Sequence, residues 1–402
     1  MLTKIRKIAQ NKQTLILKLI VLTSRFPYPL EKGDKLRIFN QIKQLGKKNE
    51  ITLIATNFSD VSEAHLSELK KHCKRIHVFK LSPLNQLINL IRSLFSGLPF
   101  QIGLFYQPDI KKQIHKIIAD IQPAAIYCHL IRMTEYVKEI KGIPKTLDYM
   151  DIFSTGMQRR AQLSSFPVKQ AAQLEHKRLL KYEHDIFDAF DNKVIISEQD
   201  KELIPHPDKN KIHVIVNGVD RDIFHPINKE KKYDLLFTGN MGYPPNIESA
   251  IYVAKKILPE VHKLNPNVNF LIAGINPSQA VLDLKSGKVD VIQNFEHIRD
   301  AFAISRINLA PMLMSIGLQN KILQAMAMKM PTICSTLANN AVKAVNGESI
   351  MVANTPSEYA QHIIYLLSNP AKARQMGEDS YQFVLKHFNW EIENDKLEKL
   401  LF

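Results

Sequence analysis

The sequence predicts an α/β protein built from two consecutive Rossmann-like units, each a doubly wound parallel sheet covered by helices. The chain has 402 residues, more than one ordinary core accommodates, and this length fits two domains of about 150–200 residues each. Short apolar runs rich in β-branched residues alternate with helical patterns along the chain. The alternation stops near residues 205–225 and then starts again, which indicates the boundary between the two units.

In the first half, apolar runs of strand type are separated by segments of helical periodicity. The strand-type runs are 15–23, 51–56, 76–79, 124–129, 145–150 and 193–197. The helical segments include 37–47, 62–72, 109–120 and 171–190. The early apolar stretch is broken by Lys18 and is about half as long as the roughly 20 residues that span a membrane, so we interpret it as the first strand.

The second half repeats the pattern after the turn dipeptide Asn217-Gly218. Its strand-type runs are 234–239, 269–274, 289–293, 307–312, 331–335 and 349–353, and its helical segments are 246–263, 297–305, 317–329 and 356–367. The predicted divisions are a basic tail (1–13), a first domain (14–205), a connector (206–225), a second domain (226–375) and C-terminal helices (376–402) that return toward the first domain. Ligands of such folds bind at the carboxyl ends of the strands, which predicts a cleft between the two units.

The net charge of +15 is concentrated in the first half of the chain. Of the 54 Lys/Arg and 39 Asp/Glu, residues 1–200 hold 32 and 19, so 22 and 20 remain for the second half. Such asymmetry indicates an anionic partner for the first domain, or a solvated basic surface without function. No nucleic-acid recognition module is visible, so an anionic membrane surface or a lipid-linked phosphate fits better than nucleic acid.

The cysteines indicate a reducing compartment. Cys73, Cys128 and Cys334 are odd in number and far apart, which is typical of reduced, buried thiols and not of a disulfide framework. The 14 histidines show no zinc-ligand spacing, so we expect no metal site. The predicted location is therefore the cytoplasm, with peripheral attachment to the inner face of the cytoplasmic membrane as an extension of that prediction.

The most informative segment begins at Gly317 and runs through an apolar-striped helix into the strand-type run at 331–335. A glycine before a helix leaves the N–H groups of the first turn open, and these can hold a phosphate together with the helix dipole. The residues of this candidate phosphate site are Gly317, Leu318, Gln319, Asn320 and Lys321. The alternative is an ordinary amphipathic helix.

This segment resembles the nucleotide-sugar site of glycosyltransferase family 4. The opening at 24–37, SRFPYPLEKGDKLR, is similar to the opening of bacterial sugar transferases from exopolysaccharide clusters. Further similarities, in the family's order, are VNGVD at 216–220, FTGNMGYPPN at 237–246 and FNWE at 388–391. The resemblance extends from about residue 20 to about residue 392.

The resemblance implies a GT-B fold and retaining, metal-independent transfer of a hexose from a nucleoside diphosphate sugar to a saccharide or lipid-linked acceptor. It implies no cofactor beyond the co-substrate. Two alternatives stay open: a catalytically degenerate GT-B protein that binds nucleotide sugar or a partner without turnover, and a sugar-nucleotide epimerase.

The resemblance also implies donor-binding residues and shows where this chain departs from the family. Gly33, Gly239, Asn240 and Gln324 join the segment after Gly317 as donor-binding candidates. Many family members carry Arg and Lys where this chain has Asn240 and Pro245, and two glutamates where it has Ile316 and Gln324. The helix start and Lys321 are then the candidates that neutralise the leaving diphosphate.

In the first domain, polar residues follow successive strand-type runs. His129 ends one run and is a candidate for contact with the transferred sugar, while Asp151 is a candidate base for the acceptor proton. Both are predicted to be catalytic, with a structural histidine and a loop or capping carboxylate as alternatives. The predicted acceptor-side residues are Asp34, Arg37, Arg132 and Asp148.

The stretch 84–98, LNQLINLIRSLFSGL, forms an amphipathic pattern with one charged residue and basic residues on both sides in sequence. Such a segment could lie on a membrane surface or pack into the core.

Overall fold

The computed structural model describes residues 16–30, 32–293, 295–314 and 317–402; the predicted basic tail at 1–13 lies outside them. The chain divides into two compact units. The first unit extends to Ile196 and includes Asp200–Ile215 and Asn394–Phe402. The second unit comprises Ser197–Gln199 and Val216–Glu393. Each contains one parallel sheet, which confirms the predicted fold class.

Within the described residues, the first unit has a seven-stranded sheet with the strand order β3-β2-β1-β4-β5-β6-β7. Its strands are β1 (Lys18–Thr23), β2 (Glu50–Asn57), β3 (Arg75–Lys80), β4 (Ala125–His129), β5 (Lys145–Asp148), β6 (Asn192–Ile195) and β7 (His213–Val214). Its helices are α1 (Gly33–Leu45), α2 (Glu63–Lys70), α3 (Pro83–Ser96), α4 (Phe100–Gly103), α5 (Pro108–Ile121), α6 (Thr134–Val137), α7 (Phe153–Leu163), α8 (Val168–Asp185) and α9 (Glu198–Glu202).

Alternation along β1 explains why this sheet is covered on both faces. Ile20 and Leu22 belong to one buried cluster, together with residues of α5 such as Ile114. Leu19 and Val21 belong to the other, together with residues of α1 such as Ile42. Because successive side chains of a strand point to opposite faces, a run that is apolar throughout requires helices on both sides.

The described residues of the second unit form a six-stranded sheet with the order β10-β9-β8-β11-β12-β13. Its strands are β8 (Tyr233–Asn240), β9 (Phe270–Ile275), β10 (Val289–Ile292), β11 (Ser305–Ala310), β12 (Thr332–Cys334) and β13 (Met351–Val352). Its helices are α10 (Pro244–Tyr252), α11 (Leu258–Leu264), α12 (Gln279–Leu282), α13 (Arg299–Ala303), α14 (Asn320–Ala327), α15 (Thr336–Val342), α16 (Pro356–Ser368), α17 (Pro370–His387) and α18 (Trp390–Leu401), the last of which continues into the first unit.

Each sheet has a topological switch point, where the strand order changes direction. In the first unit the switch lies between β1 and β4, and in the second it lies between β8 and β11. Connections on the two sides of a switch point leave in opposite directions and open a crevice at the carboxyl ends of the strands. The sequence-predicted site residues at strand ends, His129 and Gly239, fall at these two points.

The predicted amphipathic segment at 84–98 forms α3, and its apolar residues face outward. Phe95 is 87% exposed and Leu84 is 67% exposed, whereas Asn89 and Ser93 are buried. The core-packing alternative is therefore wrong, because the face that packs against the unit is the polar one.

The described residues contain no helix that is long and apolar enough to cross a membrane. They also contain no cluster of potential metal-ligating side chains. Cys73, Cys128 and Cys334 are free thiols and are all buried.

Gly274 provides a test of the packing at the ends of β8 and β9. A Cβ atom at Gly274 would overlap the carbonyl oxygen of Gly239 on the neighbouring strand. Because backbone cannot move aside as a side chain can, we expect Gly274→Ala to lower the free energy of unfolding by about 1–3 kcal/mol.

Gly287→Ala is the matched control, because a Cβ there meets nothing within 4 Å. Urea unfolding followed by circular dichroism compares the two variants. Equal stabilities would contradict the tight approach of β8 and β9.

Candidate functional site

In the first unit, His129 lies at the switch point. It is the last residue of β4, pairs in register with Thr23 of β1, and is only 2% exposed. Its Nε2 atom is buried and has no hydrogen-bond partner among the described residues. Burial lowers the pKa of His129 to about 4, so the imidazole is neutral at physiological pH. A neutral ring with a buried polar atom that has no partner among the described residues is suited to hydrogen-bond a hydroxyl group.

The backbone just after β4 and just after β5 has unusual conformations. Leu130, directly after His129, has φ 69° and ψ 147°, and Met150, directly before Asp151, has φ 56°. Residues other than glycine rarely adopt positive φ, and such strain persists where the surrounding structure enforces it, often at functional sites. Both of the predicted catalytic residues are thus adjacent to strained backbone.

Asp34 and Arg132 lie in the electrostatic neighbourhood of His129. Asp34, in the first turn of α1, accepts a hydrogen bond from Arg25 at 3.1 Å. Burial alone would raise the pKa of Asp34, but the charges of Arg25, His129 and Arg132 lower it below the usual value. Asp34 and Arg132 therefore both act electrostatically on the histidine.

The guanidinium of Arg132 packs against two aromatic rings and donates one hydrogen bond to a side-chain amide. Its Cζ atom lies 4.6 Å from the ring centre of Phe153 and 5.0 Å from that of Phe105, and its Nη2 donates to Gln101 at 2.9 Å. Its Nε has no partner among the described residues. Burial, with the nearby Arg25, lowers the pKa of Arg132 to about 10, which still leaves it charged at neutral pH.

Asp151 lies just beyond β5 in a setting that favours its protonated form. The surrounding protein, with the charges of Asp200 and Asp34, raises the pKa of Asp151 to about 7. Asp151 is nevertheless exposed at the surface, so solvent screens part of this effect. A carboxyl group that titrates near neutral pH and remains accessible meets the requirements of a general base.

Arg37 and Asp148, both predicted on the acceptor side, are instead paired with each other in the interior. Arg37 Nε donates to Asp148 Oδ2 at 2.7 Å, and both side chains are fully buried. Arg37 Nη1 donates to the carbonyl of Ile215, and Tyr127 donates its hydroxyl to Asp148 at 2.6 Å. Burial would raise the pKa of Asp148, but the charge of Arg37 lowers it. These two residues connect α1, β4, β5 and the backbone after β7 in the interior. Neither side chain is accessible to an acceptor.

In the second unit, Gly239 and Asn240 begin a tight loop at the switch point. Asn240 Oδ1 accepts a hydrogen bond from Gly242 N at 3.0 Å, so its side chain stabilises the turn. The carbonyl of Asn240 accepts from Asn246 Nδ2 at 3.0 Å. A Cβ at Gly239 would lie 2.8 Å from Asn246 Nδ2, which explains why a glycine stands there. Through its hydrogen bond to Asn240, Asn246 connects the loop to the first turn of α10.

Lys321, predicted to bind phosphate, lies beneath this loop. Its Nζ donates to Asn246 Oδ1 at 2.8 Å and lies 4.1 Å from the ring centre of Phe237. Met312 Sδ is 3.9 Å away. Burial lowers the pKa of Lys321 to about 7. The ammonium thus sits beside a neutral amide, an aromatic face and a thioether, in a place where an added negative charge would stabilise it strongly.

The start of α14 keeps the geometry predicted for a phosphate site. Gly317 has φ 56°, a left-handed conformation that favours glycine, and α14 begins three residues later. The side chain of Gln319 at the N-cap position does not cap the helix and instead donates to the Gly317 carbonyl at 3.5 Å. Asn320 accepts a hydrogen bond from Asn217 of the same unit at 3.3 Å. Leu318 is buried and secures the loop.

Gln324 is half-buried on α14, one turn from Lys321. Its side-chain amide makes no hydrogen bond within the described part of the chain, so its carbonyl can accept one from a ligand. Ile316, the other position at which the chain departs from the family pattern, lies outside the described residues. Gly33 begins α1, and a Cβ there would only touch Met150 at 3.5 Å.

Sequence reasoning missed several residues of these two sites. Arg25 appears in the opening motif, but its pairing with Asp34 depends on how the loop folds back onto α1. Asn246 and Met312, the partners of Lys321, come from separate segments and carry no motif of their own. The polar pattern at successive strand ends was the signal that located the region, and it does not specify which side chains pair.

Known proteins match the second unit by itself and also nearly the whole chain. The family model described as glycosyl transferases group 1 matches residues 232–369, within the second unit. An uncharacterised 44.6 kDa protein from the cps region of Klebsiella pneumoniae is 23% identical over 400 residues, covering 92% of this chain and 96% of that protein.

Solved structures match over nearly the whole chain. The sucrose-phosphate synthase of Thermosynechococcus elongatus superposes with a TM-score of 0.70 at 15% identity, covering 95% of this chain and 98% of that one. The Anabaena protein HepE, solved in complex with UDP and glucose, superposes with a TM-score of 0.68 at 13% identity, covering 96% and 99%. At these identities the similarity establishes the fold.

The two Rossmann-like units with crevices at their switch points have the GT-B fold, which the structural neighbours share. The matched family model adds the class of activity to the fold. This protein is a glycosyltransferase with the GT-B fold, and residues 232–369 of its second unit match the group 1 glycosyl transferase model.

The Arg37–Asp148 pair gives the first stability test of the site. Asp148→Asn removes the carboxylate and leaves the guanidinium of Arg37 buried without a counter-charge, so we expect a loss of about 3–5 kcal/mol in unfolding free energy. Asp34→Asn breaks the partly exposed pair with Arg25 and should cost less than about 1 kcal/mol. Urea unfolding at pH 7 compares the two variants, and equal losses would show that the interior pair does not support the unit.

Lys321 gives a test with a defined pH dependence. Its folded-state pKa of about 7 lies below the unfolded value of 10.5, so between these pH values the unfolded chain binds more protons and stability rises with pH. From pH 7 to pH 9 we expect the wild type to gain about 2–3 kcal/mol relative to Lys321→Met. Parallel stability curves for the two proteins would mean that the ammonium is not desolvated.

Proposed function

We propose that the protein transfers a hexose from a nucleoside diphosphate sugar to a saccharide or lipid-linked saccharide in cell-surface polysaccharide synthesis. The observation that carries this proposal is the start of α14 behind Gly317, beside the buried ammonium of Lys321, at the switch point of the second unit. A helix N-terminus that no side chain caps and a nearby cation together favour an anion. A sugar nucleotide offers a diphosphate of that charge, and HepE is a neighbour solved with UDP and glucose.

In this proposal the donor diphosphate lies against the N–H groups of the first turn of α14. The ammonium of Lys321 strengthens the positive field of the helix start, because a diphosphate with two negative charges nearby favours the protonated lysine. The carbonyl oxygen of Gln324 accepts a hydrogen bond from a ribose hydroxyl, more weakly than a glutamate would. In the second unit, Gly239 leaves room for close approach of the diphosphate.

The reaction proposed is metal-independent. As the bond to the sugar breaks, negative charge develops on the leaving diphosphate, and positive groups fixed in place beforehand lower the barrier. The helix start at Asn320 and the ammonium of Lys321 are such groups in the second unit. Retention of the anomeric configuration follows the stereochemistry of the family that the sequence resembles, and the anomer of the product tests it. No cofactor beyond the sugar nucleotide is proposed.

The first unit is proposed to act on the acceptor side. His129 offers its unused Nε2 to a sugar hydroxyl, and the carboxylate of Asp151 accepts the acceptor proton. Asp34 and Arg132 complete the polar surroundings. The buried, free thiols support a reducing, cytoplasmic location. Peripheral attachment at the inner face of the cytoplasmic membrane is part of the proposal, supported by the basic charge of the first half.

The second candidate function is nucleotide-sugar binding without turnover. Gln324 and Asn240 favour it, because neither supplies the charge that the resembled family places at those positions. Calorimetry with UDP, ADP, GDP and dTDP, followed by product analysis with the matching sugar nucleotides, separates the two functions. Transfer to an acceptor supports the first candidate, binding without transfer supports the second, and epimerised free sugar would indicate an epimerase.

Asp151 links the proposed mechanism to pH. A base works when it is deprotonated, so we expect kcat to rise as the pH increases through about 7, the raised pKa of Asp151. Asp151→Asn should lower kcat about 100-fold at pH 8 and remove this rising limb, with donor affinity unchanged.

Asp109→Asn, at an exposed position at the start of α5, is the matched control and should leave the pH profile unchanged. A rising limb that survives in Asp151→Asn would assign the base to another group.

A further inference from the structure

Helix α3 has its polar and apolar faces arranged opposite to those of an ordinary surface helix. The buried residues of α3 are Asn89 and Ser93, which lie one turn apart on one face. Six apolar side chains on the opposite side are exposed, at 36% or more each: Leu84, Leu87, Ile88, Ile91, Leu94 and Phe95. A contiguous apolar strip of this kind on a protein surface marks a site of interaction.

The polar face fixes α3 firmly in this orientation. Asn89 donates to the carbonyl of Tyr106, and Ser93 donates to the carbonyl of Asn89 at 2.7 Å. From α8, Arg178 donates to the carbonyls of Ser93 at 2.7 Å and Leu94 at 3.1 Å. Turning the apolar face inward would break these bonds and leave the carbonyl of Tyr106 and the guanidinium of Arg178 without these partners. The exposed face is therefore a stable property of the unit.

The charge around α3 identifies the partner. Residues 81–108 contain no Asp or Glu and a single basic residue, Arg92. The neighbouring segment 152–182, which includes α7 and all but the last three residues of α8, contains six Lys/Arg and one acid. That acid, Glu175, is buried and accepts hydrogen bonds from the N–H groups of Phe100 and Gln101, so it adds no charge to the surface. The last three residues of α8 add Glu183, which is buried, and Asp185.

We propose that the apolar face of α3, together with the basic segment 152–182, docks on an anionic membrane surface. The apolar side chains enter the headgroup boundary, and exposed residues such as Lys169, Lys177 and Lys181 attract the phosphates of the lipids. An apolar face flanked by one sign of charge fits this environment, whereas a purely apolar partner gives no role to the lysines. The inference extends the proposed lipid-side function by naming the surface that carries it.

Sedimentation of the full chain with vesicles tests the docking surface. We expect binding to phosphatidylglycerol–phosphatidylcholine vesicles, reduced by added salt and weaker on phosphatidylcholine alone. Leu87→Gln/Ile91→Gln should weaken binding about tenfold or more, because two apolar side chains no longer enter the lipid. Lys169→Gln/Lys177→Gln should weaken binding to the anionic vesicles only.

The matched control is Leu264→Gln/Val345→Gln in the second unit. These residues are 60% and 51% exposed, close to the 56% and 50% of Leu87 and Ile91, so the control changes the same surface apolarity elsewhere. It should bind vesicles like the wild type. Because all four side chains are exposed, both double variants should keep the melting temperature of the wild type.

Insertion of the apolar face of α3 into the membrane is measured separately, by tryptophan fluorescence. The chain has one tryptophan, Trp390, which is buried and gives a constant background. Ile91→Trp places a second tryptophan on the exposed face, and its emission should shift to the blue on binding anionic vesicles. An unchanged spectrum despite sedimentation would overturn insertion of α3.

Two further outcomes would overturn the proposal. The first is that the wild type and Leu87→Gln/Ile91→Gln bind vesicles equally well. The other is a change in oligomeric state in that variant, measured by analytical ultracentrifugation, without any vesicle binding, which would assign α3 to an interface between copies. Donor binding by calorimetry is measured in the same variants and should be unchanged, so that loss of docking is distinguished from failure of the proposed sugar transfer.

Discussion

The buried ion pair between Arg37 and Asp148 is the interaction on which the first unit's site depends. It joins α1 to the end of β5, and through Arg37 Nη1 it also reaches the backbone after β7. The second oxygen of Asp148 accepts a hydrogen bond from Met150 N at 2.9 Å, directly before Asp151. Two charges in the interior are stable only when each satisfies the other, so these three segments are held in one arrangement. Asp151 follows the end of β5, and His129 ends β4, which the hydroxyl of Tyr127 ties to Asp148.

The second unit also contains a buried charge, but its surroundings are different. Lys321 is buried and pairs with no carboxylate among the described residues; an amide, an aromatic ring and a thioether solvate it in part. Leaving a cation incompletely neutralised costs stability, whereas pairing with a carboxylate would remove its attraction for a phosphate. A buried cation that is not paired with a carboxylate can bind a ligand with two phosphate charges more strongly. The contrast between Arg37 and Lys321 separates a charge that maintains structure from one suited to meet a ligand.

Apolar runs and turn residues were sufficient to predict the fold. Strands such as 51–56 and 234–239 were located within one or two residues, because a strand buried on both faces must be apolar throughout. The pairing of polar residues could not be predicted. Arg37 and Asp148 were expected on the acceptor side, since the sequence shows that both lie near strand or helix ends but not that they point toward each other. The positive φ values at Leu130 and Met150 have no sequence signal, because neither residue type favours them.

Helix α3 shows why burial cannot be inferred from amphipathicity alone. The periodicity of 84–98 gives two faces and says nothing about which one meets the rest of the unit. Partners at a distance decide it: Arg178 comes from 85 residues beyond Ser93, and its guanidinium satisfies carbonyl oxygens near the end of α3. Glu175, one turn earlier on α8, satisfies the N–H groups of α4 in the same way. Helix α8 thus supplies a cation for the carbonyl groups of α3 and an anion for the N–H groups of α4. Because these contacts hold the polar side of α3 against the unit, the apolar residues of α3 remain at the surface.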